Sequence, residues 1–328
     1  MAELRYGHAL NRALMDAMAD DPTVVVLGED IAAAGGSFGV TRGLLDKYGS
    51  ERVIDTPISE AAIAGVAVGA ALSGLKPVVE IMFMDFTTLV MDALVNQAAK
   101  ARFMFGGQFS APMVLRTPHG GGVNAGPQHS QCLEAWFAHV PGLKVVCPAD
   151  ATSAYGLLRA AIEDPDPVIF VEHKGLYGRK DSFPEQPAAL PLGRAEIVRP
   201  GADATIVAYG AAVQFALDAA TQLASRGIAA EVIDLRTLQP WDDATVLASL
   251  SRTHRLVVAH EAVEAFGVGA EIVARMADIG FDELDGPLVR VGAPFMPTPF
   301  APALEAAYRP SAQRVVEAVL KTMGQQDV

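Results

Sequence analysis

Residues 52–82, RVIDTPISEAAIAGVAVGAALSGLKPVVEIM, decide the fold class. A short β-branched run (52–55) breaks at Thr56-Pro57, and Ser59 then opens an Ala/Gly/Val/Ile segment that predicts a helix over 60–73. A second β-branched run (77–82) follows Ser73-Gly74. Strand, helix and strand in that order make a βαβ unit, which requires parallel strands. The same alternation extends outward, with strands at 23–27, 113–116, 144–147 and 168–172 and helices near 87–102, 130–138 and 151–163. A mostly parallel sheet covered on both faces is therefore expected. Residues 178–195 break the pattern with three prolines and read as a linker. Beyond them lie strands at 205–209, 230–234, 256–259 and 288–291, and helices near 211–225, 242–251, 267–278 and 311–322. The expected organisation is α/β: a domain over 1–177, a linker over 178–195 and a second domain over 196–328.

The chain has 328 residues, 51% of them hydrophobic and 19% charged, enough apolar material for two cores and far from the composition of a disordered chain. Its 25 basic against 38 acidic side chains give −13, which argues against nucleic acid or an anionic membrane as principal partner. Cys132 and Cys147 fit neither a CxxC pair nor a disulfide framework, which suits a reducing compartment. The N-terminal residues mix charges with apolar groups at helical spacing and show no signal-peptide core. The longest apolar stretch, residues 61–72, is too short to span a bilayer. A cytoplasmic protein is expected.

In parallel sheets ligands collect beyond the carboxyl ends of the strands. Those ends carry Glu29-Asp30, the turn from Thr56 to Glu60, the segment from Met82 to Phe86, the turn beginning at His119, and Glu172-His173. Ser59 is the candidate N-cap, which puts Glu60 at the first helical position, where the helix dipole favours negative charge. Its plain reading is an acid decorating a helix start. Its functional reading is a carboxyl at the dry mouth of a closely packed helix, able to keep or share a proton. His129, in Pro127-Gln128-His129-Ser130-Gln131, has the same two readings, a loop histidine or a proton-transfer group. No His/Cys spacing signals a transition metal. The run Gly120-Gly121-Gly122-Val123-Asn124-Ala125 matches a dinucleotide fingerprint, so an NAD-dependent dehydrogenase is the rival enzyme class. Gly126-Pro127 blocks the helix that this fingerprint needs.

Gly28-Glu29-Asp30, the run from Arg52 to Glu60, and Met82-Phe83-Met84-Asp85-Phe86 together resemble one family. Gln128-His129-Ser130-Gln131, the run from Pro141 to Val146 and the run from Asp164 to Phe170 extend the likeness. The family is the β subunits of the thiamine-diphosphate-dependent E1 component of 2-oxo acid dehydrogenase complexes, of the pyruvate or acetoin dehydrogenase type. The resemblance implies a transketolase-like pyrimidine-binding domain followed by a transketolase C-terminal domain. It implies that Glu60 hydrogen-bonds N1′ of the cofactor's aminopyrimidine and promotes loss of the C2 proton of the thiazolium. It places Ile58, Met82 and Phe86 against that ring, and Glu29 in an acidic path between paired sites. It makes His129 the proton donor facing substrate and lipoyl group. A potassium ion held by main-chain carbonyls maps onto Met113, Ala161, Ile162, Asp164 and Asp166.

The family holds the diphosphate and Mg²⁺ with a GDG…N motif, and no GDG occurs here. An E1 α subunit is expected to supply that end of the cofactor in an α2β2 heterotetramer. The acyl group then passes to a lipoyl-bearing E2 acyltransferase. From Glu196 onward 17 acidic side chains stand against 10 basic ones, which suits either plain solubility or docking of a basic E2 module. A catalytically silent assembly subunit is the alternative of a different class. Met104-Phe105-Gly106-Gly107 looks like the acetoin branch and Gln131-Cys132-Leu133-Glu134-Ala135-Trp136 like the pyruvate branch. Both substrates therefore stay open.

Overall fold

The computed structural model describes residues 2–325, and the chain divides into two compact units. The first takes in the chain up to His119 together with Trp136–Leu192; the second takes in Gly120–Ala135 and the chain from Gly193 onward.

In the first unit β1 (Ala2–Arg5) leads into a helix over Tyr6–Asp20, and then into β2 (Val24–Gly28). β3 (Val53–Asp55), β4 (Lys76–Glu80), β5 (Val114–His119), β6 (Lys144–Val146), β7 (Val168–His173) and β8 (Lys180–Phe183) follow. Six of these run parallel in the order β6-β7-β5-β4-β2-β3, while β1 and β8 form a separate antiparallel pair. β2, β5 and β7 are buried throughout; β2 reads as an unbroken apolar run, while β5 and β7 open on apolar residues and carry buried polar ones toward their carboxyl ends. From β2 the chain passes to β3 on one side and then returns to β4 on the other. The strand order thus switches at β2, and a crevice is expected beyond its carboxyl end.

The second unit contains β9 (Glu196–Arg199), β10 (Ala204–Ala208), β11 (Ala230–Asp234), the short β12 (Thr237–Gln239), β13 (Leu256–Val263) and β14 (Val289–Ala293). Its five-stranded sheet has the order β14-β13-β10-β11-β9, parallel except for the edge strand β9. The helix Ala312–Thr322 buries Val315, Val316, Val319 and Leu320 beside the alanine-rich helix Ala212–Ala224.

Several expected elements take a different form. The expected helix over 87–102 is a composite of a 3-10 segment (Met84–Val90), a π segment (Asp92–Ala98) and an α segment (Ala99–Met104). The Thr87 and Thr88 hydroxyls donate to the carbonyls of Met84 and Asp85, three residues back, and this tightens the first turns. The helix expected over 130–138 is confined to Glu134–Ala138. Its start is pinned by the buried Glu134 carboxylate, which accepts from the Tyr209 hydroxyl at 2.9 Å. Residues 178–195 begin with β8, whose pairing with β1 depends on a partner far away in sequence.

A buried ion cluster ties three neighbouring strands together. Arg116 on β5 donates from Nη1 to Glu80 on β4 at 2.8 Å, and from Nε and Nη2 to Glu172 on β7 at 2.7 and 2.9 Å. The Tyr177 hydroxyl donates to Glu172 Oε2 at 2.6 Å. Burial pushes the Glu172 carboxyl up, against the opposing pull of Arg116. Burial works against the Arg116 charge too, yet Glu172 and Glu80 together hold its guanidinium firmly protonated. Two acids here share one base. Replacing Arg116 by Met leaves two buried acids without a counter-charge and is expected to cost about 3–5 kcal/mol. The check is the urea midpoint of the purified chain against parent; an unchanged midpoint would refute the clamp.

Candidate active site

The edge beyond β2 is built from the turns that follow β2, β3 and β4. Gly28 closes β2 where a Cβ would stand 2.7 Å from the Glu80 carbonyl oxygen, so only glycine lets the two strand ends approach. Thr56 donates its backbone N–H to Gly28 O at 3.0 Å, and Asp55 Oδ1 accepts from the Ala32 N–H at 2.7 Å. These bonds lock the turn after β3 onto the turn after β2.

Glu29 follows Gly28, is 5% exposed, and has no hydrogen-bond partner for Oε1 among the described residues. The Ser59 backbone N–H lies near enough to favour its anionic form. Ser59 does stand at the N-cap of the helix Glu60–Leu72, but its side chain makes no capping bond. Glu60 occupies the first helical position and is 8% exposed. Burial, joined by the Glu60 charge, raises the Glu29 carboxyl above the ordinary carboxylate range. Two buried carboxyl groups thus meet at one edge of the sheet.

Beside them Ile58 is 82% exposed, an apolar side chain held in the open by the turn. Met82 and Phe86 are half-buried beyond β4, which ends at Glu80 rather than at Met82. Phe86 lies edge-on to Phe83 at 5.8 Å, and Phe83 edge-on to Phe38 at 6.0 Å. One unpartnered buried carboxylate oxygen, a second carboxyl and an uncovered aliphatic surface make up this edge. It offers what a polar heteroaromatic ring requires, a hydrogen-bonding rim and an apolar face. The residues fit the pyrimidine end of thiamine diphosphate.

The structure puts Glu29, Ile58, Glu60, Met82 and Phe86 on the first unit, at the carboxyl ends of β2, β3 and β4. His129 belongs to the second unit, half-buried in a turn where its N–H reaches Gly126 O at 3.4 Å. The adjoining Ser130 and Cys132 line a cavity of about 440 Å³ in that unit, with Glu261, Phe295 and Tyr308. Among the remaining candidates, the Met113 carbonyl accepts from Val168 N at 2.9 Å. Ala161 and Ile162 lie in the last turn of the helix Ala151–Glu163, where carbonyls lack intrahelical donors. Asp164 Oδ1 accepts from the Asp166 N–H at 2.9 Å; Lys144 holds the Asp164 carboxylate at 2.6 Å and Arg102 holds that of Asp166 at 2.6 Å. Sequence reasoning missed Glu80 and Arg116, whose partnership exists only across strands.

Because the raised Glu29 carboxyl favours its protonated form, its contribution to stability is whole below about 4.5 and lost as pH rises through the folded-state value. The variant Glu29→Gln stays neutral, so its thermal stability relative to parent should grow over that window and then level off. Thermal unfolding of both chains across pH checks this. In Glu60→Gln the Glu29 carboxyl should titrate lower, which carboxyl ¹³C shifts would report.

Comparison with known proteins shows the family. Residues 2–180 match the family described as transketolase, pyrimidine binding domain, and residues 193–315 match transketolase, C-terminal domain. The chain is 48% identical over 321 residues to the mitochondrial pyruvate dehydrogenase E1 component subunit beta of Drosophila melanogaster, covering 96% of this chain and 88% of that one. It is 48% identical over 325 residues to the acetoin:2,6-dichlorophenolindophenol oxidoreductase subunit beta of Cupriavidus necator, covering 96% of each. A solved split-gene transketolase, described as an inactive beta4 tetramer, superposes with a TM-score of 0.80 at 26% identity over 98% of both chains. The chain therefore belongs to the family of β subunits of thiamine-diphosphate-dependent E1 components of 2-oxo acid dehydrogenase complexes, of the pyruvate and acetoin dehydrogenase type.

Proposed function

We propose that this chain is the catalytic β half of an α2β2 E1 that decarboxylates pyruvate or cleaves acetoin and passes the acyl group to a lipoyl-bearing E2. The observation that carries this reading is the buried pair of Glu29, with its unpartnered oxygen, and Glu60 at the mouth of the helix. Thiamine diphosphate, when bound, supplies the carbanion chemistry and the electron sink. Glu60 holds N1′ of its pyrimidine and shuttles the proton at that atom. Ile58, Met82 and Phe86 cover the ring, exclude water and fix its tilt. Glu29, whose carboxyl burial and the Glu60 charge push up, stands beside Glu60 at this edge. His129 gives the proton to substrate or lipoyl group. Mg²⁺ and the diphosphate belong to the α subunit.

The helix Glu60–Leu72 supports the assembly. Ile63, Ala64, Ala67, Val68 and Ala71 pack inward, while Gly65, Gly69 and Val66 (61% exposed) face outward. A Cβ on either glycine would meet nothing among the described residues, so this smooth face suits a second helix from a partner subunit. Exposed Phe103, Phe109, Phe266, Phe295 and Phe300 add apolar surface of the kind buried in stable oligomers. The last-turn carbonyls of Ala161 and Ile162, with Met113, Asp164 and Asp166, suit a potassium ion at the negative end of a helix. The acidic second domain suits a basic E2 module. Domain limits at 1–177, 178–195 and 196–328 and a cytoplasmic location belong to the same reading. No helix among the described residues is long and apolar enough to cross a membrane.

The test is dye-linked activity of the chain copurified with its α partner, in thiamine diphosphate and Mg²⁺, with pyruvate, acetoin and 3-methyl-2-oxobutanoate offered separately. Turnover of pyruvate or acetoin is expected, and Glu60→Gln should lower it by at least about a hundredfold while assembly survives. Silence from a correctly assembled tetramer would favour a subunit that only scaffolds E2. Gly69→Leu should leave the chain folded but shift it from tetramer to smaller species in size-exclusion chromatography.

A further inference from the structure

We propose that a basic pocket of the first unit, formed by Arg5, His8 and Arg42 over a Phe38–Tyr177 floor, binds a small phosphate ester. The cavity is about 260 Å³, room for a phosphate group and a few carbons. Its lining contains no carboxylate. The side chains of Arg5, His8 and Arg42 make no hydrogen bond or ion pair among the described residues. In this chain of net charge −13, several other arginines are taken up by acids: Arg116 by two, and Arg102, Arg159 and Arg252 by at least one each. The charge accumulates further at the edge. Arg5 on β1 stands directly opposite Lys180 on β8, and like charges in that register repel. Unneutralised, such a cluster is a standing cost; an anion seated among the groups removes it.

The donors also fix the class of anion. The backbone N–H groups of Tyr6 and Gly7 are already spent on the carbonyls of Arg179 and Tyr177, at 2.9 and 3.2 Å, so recognition falls to side chains. Two guanidinium forks and an imidazole present more donors than one carboxylate can accept, and match the three terminal oxygens of a phosphate monoester. The floor is rigid and apolar, since Phe38 stacks on Tyr177 at 4.6 Å and 15°. Tyr177 is in turn anchored through its hydroxyl to Glu172. The ester's carbon skeleton lies on that stacked pair while its phosphate faces the arginines. None of these groups takes part in the roles given to Glu60 or His129, so the site stands or falls independently of them.

The experiment uses the α/β assembly already saturated with thiamine diphosphate and Mg²⁺, so that the cofactor's own phosphate site is filled. Glycerol 3-phosphate is titrated calorimetrically, with glycerol and succinate as neutral and carboxylate controls. Saturable binding of glycerol 3-phosphate is expected, absent for glycerol and at least about tenfold weaker for succinate. It should fade at about 1 M KCl, where the screening length is about 3 Å. The double variant Arg5→Ala/Arg42→Ala should lose at least about tenfold in affinity with turnover unchanged, and the exposed single variant Arg5→Gln should weaken it in the same direction. Absence of glycerol 3-phosphate binding to the parent, binding to either variant equal to parent, or equal affinity for succinate would overturn the proposal.

Discussion

The first unit depends on one buried cation. Arg116 reaches sideways from β5 to an acid on each neighbouring strand, and its three hydrogen bonds fix β4, β5 and β7 in lateral register. Burying three charges is expensive, and it is tolerated because each of the three guanidinium nitrogens donates to a carboxylate. The consequence is geometric. Glu80 is the last residue of β4, and its backbone meets Gly28 at the end of β2, so the clamp fixes how the turn carrying Glu29 approaches the segment carrying Met82 and Phe86.

At that edge the fold stores an electrostatic tension rather than relieving it. Glu29 and Glu60 are brought together by unrelated devices, the end of a strand and the start of a helix. The Ser59 N–H stabilises Glu29 as an anion, while burial and Glu60 oppose that charge. Ser59, at the N-cap position, makes no side-chain capping bond to this helix. The result is a pair of acids beside an exposed isoleucine.

The same chain leaves surfaces that it does not cover itself. The glycine face of the helix Glu60–Leu72 and several phenylalanines are open, whereas the opposite face of that helix is packed onto the sheet. A helix with so little polarity gains its stability from contact on both sides, and the chain supplies only one.

The sequence by itself determined the α/β class, the parallel strands and the family, because apolar periodicity and the run from Arg52 to Glu60 are local signals that survive without neighbours. It also marked Glu29, Ile58, Glu60, Met82 and Phe86 as residues at strand ends. It did not reveal the Arg116 cluster, the β1–β8 pair or the Glu134 anchor of the shortened helix. Each of these joins residues that are separated by 30 or more positions and carry no periodic pattern. Only the tertiary structure decided them, because hydrogen bonds and charge pairs act over a few ångströms of space, and distance along the chain does not encode that proximity.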